Sequence, residues 1–172
     1  MNTPSPVTIR RATASEGDVA QISTLLIANS AENGGMLYGD WTAPMIGKWL
    51  ETGSPVIVAE NAEGIIKGVL FSAENAADAA PPVREMFKVA AEQRLGNPYA
   101  YGPICVDASI RGQGMPGQLF ALLDAEVGGR RGILFINSNN PGSLQAHRKL
   151  GMPLIGGFTL GDQVFDVLAT PA

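Results

Sequence analysis

Arg111, Gly112, Gln113, Gly114, Met115 and Gly117 are the residues of this chain whose types and spacing best suit holding an anion. They lie in the stretch Tyr101 to Gly117, YGPICVDASIRGQGMPG. That stretch reads as a strand, a glycine-rich turn and a helix. Pro116 suits a first helical turn, where its missing N–H has no partner to lose. Leu119, Leu122, Leu123 and Val127 follow at helical spacing. A helix entered through glycines offers free backbone N–H groups and the positive end of its dipole. Such an end binds phosphate or pyrophosphate. Gly112, Gly114 and Gly117 also match G-x-G-x-x-G, but the context is wrong for a dinucleotide. Five residues, Asp107 to Arg111, separate the strand from the first glycine. The next strand, Gly132 to Ser138, ends in Asn137 and Ser138, with no carboxylate for a ribose. No Gly-Lys-Ser/Thr follows the glycines, which excludes a Walker loop.

The other reactive types are sparse. His147 is the only histidine and Cys105 the only cysteine. No nucleophile signature surrounds Cys105, and a buried small hydrophobe is the simpler reading. Glu74 and Asp107 each close an expected strand and are candidate general bases or solvated strand ends; Tyr101 is a third candidate. No metal is expected.

Counted from the arginine, Arg111-Gly112-Gln113-Gly114-Met115-Pro116 resembles the R/Q-x-x-G-x-G/A motif of the GCN5-related N-acetyltransferases. Downstream, Asn140, Ser143, Ala146, His147, Lys149, Leu150, Gly151 and Met152 follow that family's second motif, N-x-x-S/A-x-x-Φ-Y-x-K-L-G-F, at every spacing. Three departures stand out. Pro116 replaces a small residue and removes one N–H, Met152 replaces Phe, and His147 replaces Tyr. The resemblance implies that acetyl-coenzyme A is the co-substrate, its pyrophosphate held by the amides of Gly112 to Met115 and of Gly117. Arg111 would stand near the phosphates or be an ordinary turn arginine. Backbone groups of Ile104, Cys105 and Val106 would pair with the pantetheine arm and polarise the thioester. Asn140 and Ser143 would complete the coenzyme contacts, unless Asn140 is a plain turn residue before Pro141. His147 would protonate the leaving thiolate, or only pack against the coenzyme. The acceptor would be a small-molecule or peptide amine. Non-catalytic coenzyme A sensing and dinucleotide-dependent redox chemistry are the alternatives.

The remaining elements must position these residues. Val7 to Arg11 reads as a strand. Ser15 can cap a helix whose apolar face is Val19, Ile22, Leu25 and Leu26. A loop over Ala31 to Asp40 contains Gly34, Gly35 and Gly39. Trp41 to Leu50 reads as a helix capped by Thr42, with Met45, Ile46, Trp49 and Leu50 inward. Pro55 to Glu60 and Gly64 to Ala73 are strands joined as a hairpin by Asn61 to Gly64. Val83 to Leu95 is helical and inserted before the central strand. Gly142 to Lys149 is a short helix ended by Gly151. Leu154 to Thr159 and Gln163 to Leu168 form a last hairpin. The expected class is α/β, with a mixed central sheet, splayed central strands and flanking helices, as one N-acetyltransferase domain over residues 1–172.

Composition agrees with a globular chain. It has 172 residues, 45% of them hydrophobic and 16% charged. Twelve basic against sixteen acidic residues give a net charge of −4, which disfavours nucleic acid. The same balance favours a cationic acceptor, though net charge says little about one pocket. A lone cysteine suits a reducing compartment. No apolar signal core or membrane-length run is present. A cytoplasmic monomer or homodimer is expected.

Overall fold

The computed structural model describes residues 6–30 and 41–172. The expected loop over Ala31 to Asp40, with its three glycines, lies outside the described residues. Seven strands follow the hydrogen-bonded order β1-β2-β3-β4-β5-β7-β6. They are β1 (Val7–Arg11), β2 (Ile57–Asn61), β3 (Ile66–Ala73), β4 (Tyr99–Val106), β5 (Gly132–Asn137), β6 (Leu154–Leu160) and β7 (Gln163–Ala169). The helices are α1 (Glu16–Ala28), α2 (Ala43–Glu51), α3 (Pro81–Glu92), α4 (Met115–Glu126) and α5 (Pro141–Lys149). The described residues fall into two compact units. One comprises the chain up to Phe71 with Pro103–Val127, the other Ser72–Gly102 with Gly128–Ala172. β3 and β4 pass from one unit into the other.

In the first unit, β1, β2 and β3 pair antiparallel. The side chain of Asn61 accepts hydrogen bonds from the amides of Glu63 and Ile65, which closes the β2–β3 hairpin. Val19, Ile22, Leu25 and Leu26 of α1 pack with Ile46 of α2 and with Val58, Val69 and Phe71 of the strands. Ser15 caps α1 and Thr42 caps α2, as the sequence suggests. Asp18, in the first turn of α1, accepts hydrogen bonds from both terminal nitrogens of Arg10 at 2.8 and 2.9 Å. Those bonds hold its carboxyl down at a pKa of about 2.

In the second unit, β4 and β5 form a parallel ladder of two pairs, Tyr99–Gly132 and Ala100–Ile133, at the start of both strands. β5 pairs with β7, and β7 with β6, both antiparallel. Met86, Phe87, Val89 and Ala90 of α3 pack with Ala100, Ile133, Val167 and Ala169. α3 starts at Pro81, two residues before the expected Val83, because Pro81 and Pro82 fit the first helical positions. Proline also occupies one of the first two positions of α2, α4 and α5. α5 ends in a Schellman arrangement. Gly151, at φ 81°, donates to the carbonyl of Arg148, and Met152 donates to that of His147.

Gly132 faces the Tyr99 ring. A Cβ there would lie 2.5–2.8 Å from Cζ, Cε2 and Oη of that ring. Gly132→Ala is therefore expected to cost about 1–3 kcal/mol of stability in urea unfolding. Tyr99→Leu in the same chain should recover part of the loss, because it removes the obstructing ring.

Candidate functional site

In the first unit, β4 ends at Val106 and runs through one 3₁₀ turn, Ala108–Ile110, into the glycine turn and α4. Gly112 and Gly114 sit at φ 78° and 72°, the left-handed region that favours glycine. Gly114 is the N-cap of α4, and Gln118 makes the first backbone bond of the helix, to the Gly114 carbonyl. The amides of Gly112, Gln113, Gly114, Met115 and Gly117 donate to no acceptor among the described residues. A Cβ on Gly112 or Gly114 would meet no atom within 4 Å, so the space over these amides is open. The residues present thus fit a phosphate group. The Met115 side chain is buried in the core, which leaves its amide as the group it presents at the turn.

Arg111, expected either near the phosphates or as an ordinary turn arginine, is engaged within its own turn. Its Nε donates to the Val106 carbonyl at 3.0 Å and its Nη2 to Asn29 Oδ1 at 3.3 Å. It folds back onto the strand end and the C-cap of α1. Cys105 points into the core, as its reading as a buried small hydrophobe expects, while the alternate positions Ile104 and Val106 are only half-buried. Burial pushes the Cys105 thiol up to about 11, which leaves it without nucleophilic character at neutral pH. Asp107 caps the 3₁₀ turn by accepting from the amide and hydroxyl of Ser109. Its carboxyl is held below the usual range, chiefly by the Ser109 hydroxyl.

In the second unit, Asn140 stands just before α5, and Ser143 and His147 lie on it. Asn140 caps the helix, its Oδ1 accepting from the Ser143 amide at 3.3 Å. His147 is buried, and both ring nitrogens are engaged. Nδ1 lies 2.8 Å from the Ser143 carbonyl, which can only accept, so Nδ1 carries the proton. Nε2 of the neutral ring then accepts from the Tyr101 hydroxyl of β4 at 3.1 Å. The two rings meet edge to face at 5.5 Å. Burial lowers the His147 pKa, outweighing the Ser143 carbonyl, and raises that of Tyr101. Of the two roles expected for His147, proton donor to the thiolate or packing against the coenzyme, a buried neutral imidazole with both nitrogens engaged favours the second. In the sequence Tyr101 stands only as a third candidate for the base, and nothing in spacing joins it to His147.

Glu74 is placed in a bidentate ion pair, 2.7 and 2.8 Å from the terminal nitrogens of Arg130, whose Nε donates to the Asn97 carbonyl. The Arg130 hydrogen bonds lower its pKa. An ionised carboxylate with both oxygens committed to a guanidinium makes a poor base, which corrects the catalytic role expected for Glu74.

No family model matches this sequence, and no curated protein is significantly similar to it. Solved structures are similar over nearly its whole length. An N-acetyltransferase from Staphylococcus aureus Mu50 is 21% identical with a TM-score of 0.67, over 96% of this chain and 98% of that one. A ribosomal-protein-alanine N-acetyltransferase from Brucella melitensis is 22% identical, TM-score 0.70, over 96% and 99%. A phosphinothricin acetyltransferase of the GNAT superfamily from Sinorhizobium meliloti, solved in complex with acetyl-coenzyme A, is 20% identical, TM-score 0.66, over 96% and 88%. At these identities the likeness is one of fold. The chain has the mixed α/β fold of the GCN5-related N-acetyltransferases. Among the described residues, no helix is long and apolar enough to cross a membrane.

The buried imidazole has a measurable consequence. Its folded pKa lies below the unfolded value, so stability is full above about pH 6.5, where both states are neutral. As pH falls below that value, the unfolded chain takes up a proton that the folded ring resists. The slope ends once pH passes the folded pKa. Urea titrations from pH 8 to 5 should show this loss, and His147→Gln should flatten it.

Proposed function

We propose that the chain is an acetyl-coenzyme A-dependent N-acetyltransferase acting on a primary amine of a small molecule or peptide. The observation that carries this reading is the row of unpaired amides from Gly112 to Met115, at a helix N-terminus, on the fold of acetyltransferases. In this reading the amides and Gly117 hold the coenzyme phosphates, and Arg111 is a positioning residue that fixes the turn to Val106. The backbone of Ile104, Cys105 and Val106 lies along the pantetheine arm and stabilises the oxyanion as the amine attacks the thioester. Asn140 and Ser143 add coenzyme contacts while ordering the first turn of α5. The thiolate takes its proton at the Tyr101–His147 pair. The Tyr101 hydroxyl turns from His147 Nε2 to give its proton to the sulfur as the C–S bond breaks, and solvent returns a proton to the phenolate. Residues 1–172 would then form one N-acetyltransferase domain, a cytoplasmic monomer or homodimer. A non-catalytic coenzyme A sensor is the second reading, favoured by the engagement of both His147 nitrogens.

Acetyl-coenzyme A and coenzyme A are expected to raise the melting temperature, and NAD and ATP much less, because a ligand that binds only the folded state stabilises it. Equal stabilisation by NAD would reject the reading. Gly114→Val forces a branched side chain to φ 72° and should weaken coenzyme A binding about tenfold or more, given the roughly 1–2 kcal/mol left-handed penalty. Unchanged affinity would remove the turn from the site.

Thiol release from acetyl-coenzyme A with an amine panel separates the enzyme from the sensor. With an amine that turns over, Tyr101→Phe should lower kcat by about 10²-fold with little change in coenzyme affinity. If kcat is unaltered, the pair is structural and solvent supplies the proton.

A further inference from the structure

Asn29 closes α1 as its C-cap, and its side chain is used at both ends. Nδ2 donates to the Leu25 carbonyl at 2.9 Å, one turn back along the helix. A carbonyl only accepts, so this bond fixes which end of the carboxamide is which. Oδ1 is the end left for Arg111, whose Nη2 donates to it at 3.3 Å. The two residues are 82 positions apart, and both lie in the first unit. Arg111 is thus held at two points, at Asn29 and, through Nε, at the Val106 carbonyl. A guanidinium is planar, so bonds from both Nε and Nη2 fix its plane, whereas one bond alone leaves it free to rotate about that bond.

The glycine turn between Arg111 and α4 has two differently held halves. Gln118 donates through its side chain to the Gln113 carbonyl and through its amide to the Gly114 carbonyl. In a trans peptide the N–H of one residue points opposite to the carbonyl of the residue before it. Gln118 therefore aims the amides of Gly114 and Met115. The carbonyls of Arg111 and Gly112 have no such bond among the described residues. The amides of Gly112 and Gln113 depend instead on where Arg111 is held.

We infer that Asn29 is a positioning residue for the anion-binding turn: acting through Arg111, it holds the amides of Gly112 and Gln113 in place for a phosphate group. That the phosphate belongs to coenzyme A rests on the acetyltransferase reading above; the hold of Asn29 on the turn does not. The bond from Arg111 is exposed, which keeps its effect modest. The Leu25 bond offsets this in part, because it orders the Asn29 carboxamide before Arg111 meets it.

Two measurements test it. The first needs no ligand and follows the order parameters of the backbone amides by nitrogen relaxation. Asn29→Leu removes both side-chain bonds. It should lower the values at Gly112 and Gln113 from about 0.85 toward 0.6 and leave Gly114 and Met115 as they are. Asn29→Asp keeps an oxygen for Arg111 and loses the donor to Leu25, and it should leave all four amides ordered. If Asn29→Asp loosens the turn as Asn29→Leu does, the Leu25 bond is what matters and the inference is overturned. It is overturned equally if Asn29→Leu loosens all four amides alike, or none. The second measurement is a double-mutant cycle on coenzyme A affinity, with urea unfolding alongside. Asn29→Leu should raise Kd about fivefold in the otherwise unaltered chain and leave it unchanged in Arg111→Met. The stability lost with the Leu25 bond should be the same in both backgrounds. Additive effects on Kd would mean that Asn29 acts without Arg111, against the inference. If coenzyme A does not bind the unaltered chain, the acetyltransferase reading fails, and the first measurement alone decides the role of Asn29.

Discussion

The left-handed backbone at Gly112 and Gly114 is the constraint on which the candidate coenzyme site depends. A side chain at either position would oppose the turn, and without the turn β4 could not feed α4 where α4 packs against β1 and β2. The same two torsions aim successive amides at open space rather than into a ladder. The Arg111 bond to the Val106 carbonyl then ties the far side of the turn to the strand it leaves. One local conformation therefore serves packing and recognition together.

Much of this was legible in the residues. The strand-turn-helix reading of Tyr101 to Gly117 rests on local chemistry, and local chemistry decides it. The caps at Ser15 and Thr42 and the glycine stop at Gly151 were visible for the same reason. Boundaries moved where a residue fits two descriptions. Pro81 and Pro82 read as a break, yet they are also good first helical residues, so α3 begins earlier. β4 likewise begins at Tyr99 rather than Tyr101, because its pairing with Gly132 and Ile133 leaves no mark in its own sequence.

Side-chain partnerships were not legible. Tyr101 and His147 are 46 positions apart, and Glu74 and Arg130 are 56 apart. Spacing constrains neighbours on one element and says nothing about which elements meet. The consequence for chemistry is large. Both the histidine and the glutamate looked available as free acid and base, and each is committed to a partner. For a buried ring such commitment is obligatory, since an unsatisfied polar atom in the interior costs about 1–3 kcal/mol.

Four of the five α-helices among the described residues begin with proline at one of their first two positions. Proline there fixes a backbone angle before folding starts, so the unfolded chain has fewer conformations to give up. Part of the entropy lost in starting a helix is thus removed by covalent structure, at the end of α4 where the open amides lie as well as at the start of α3.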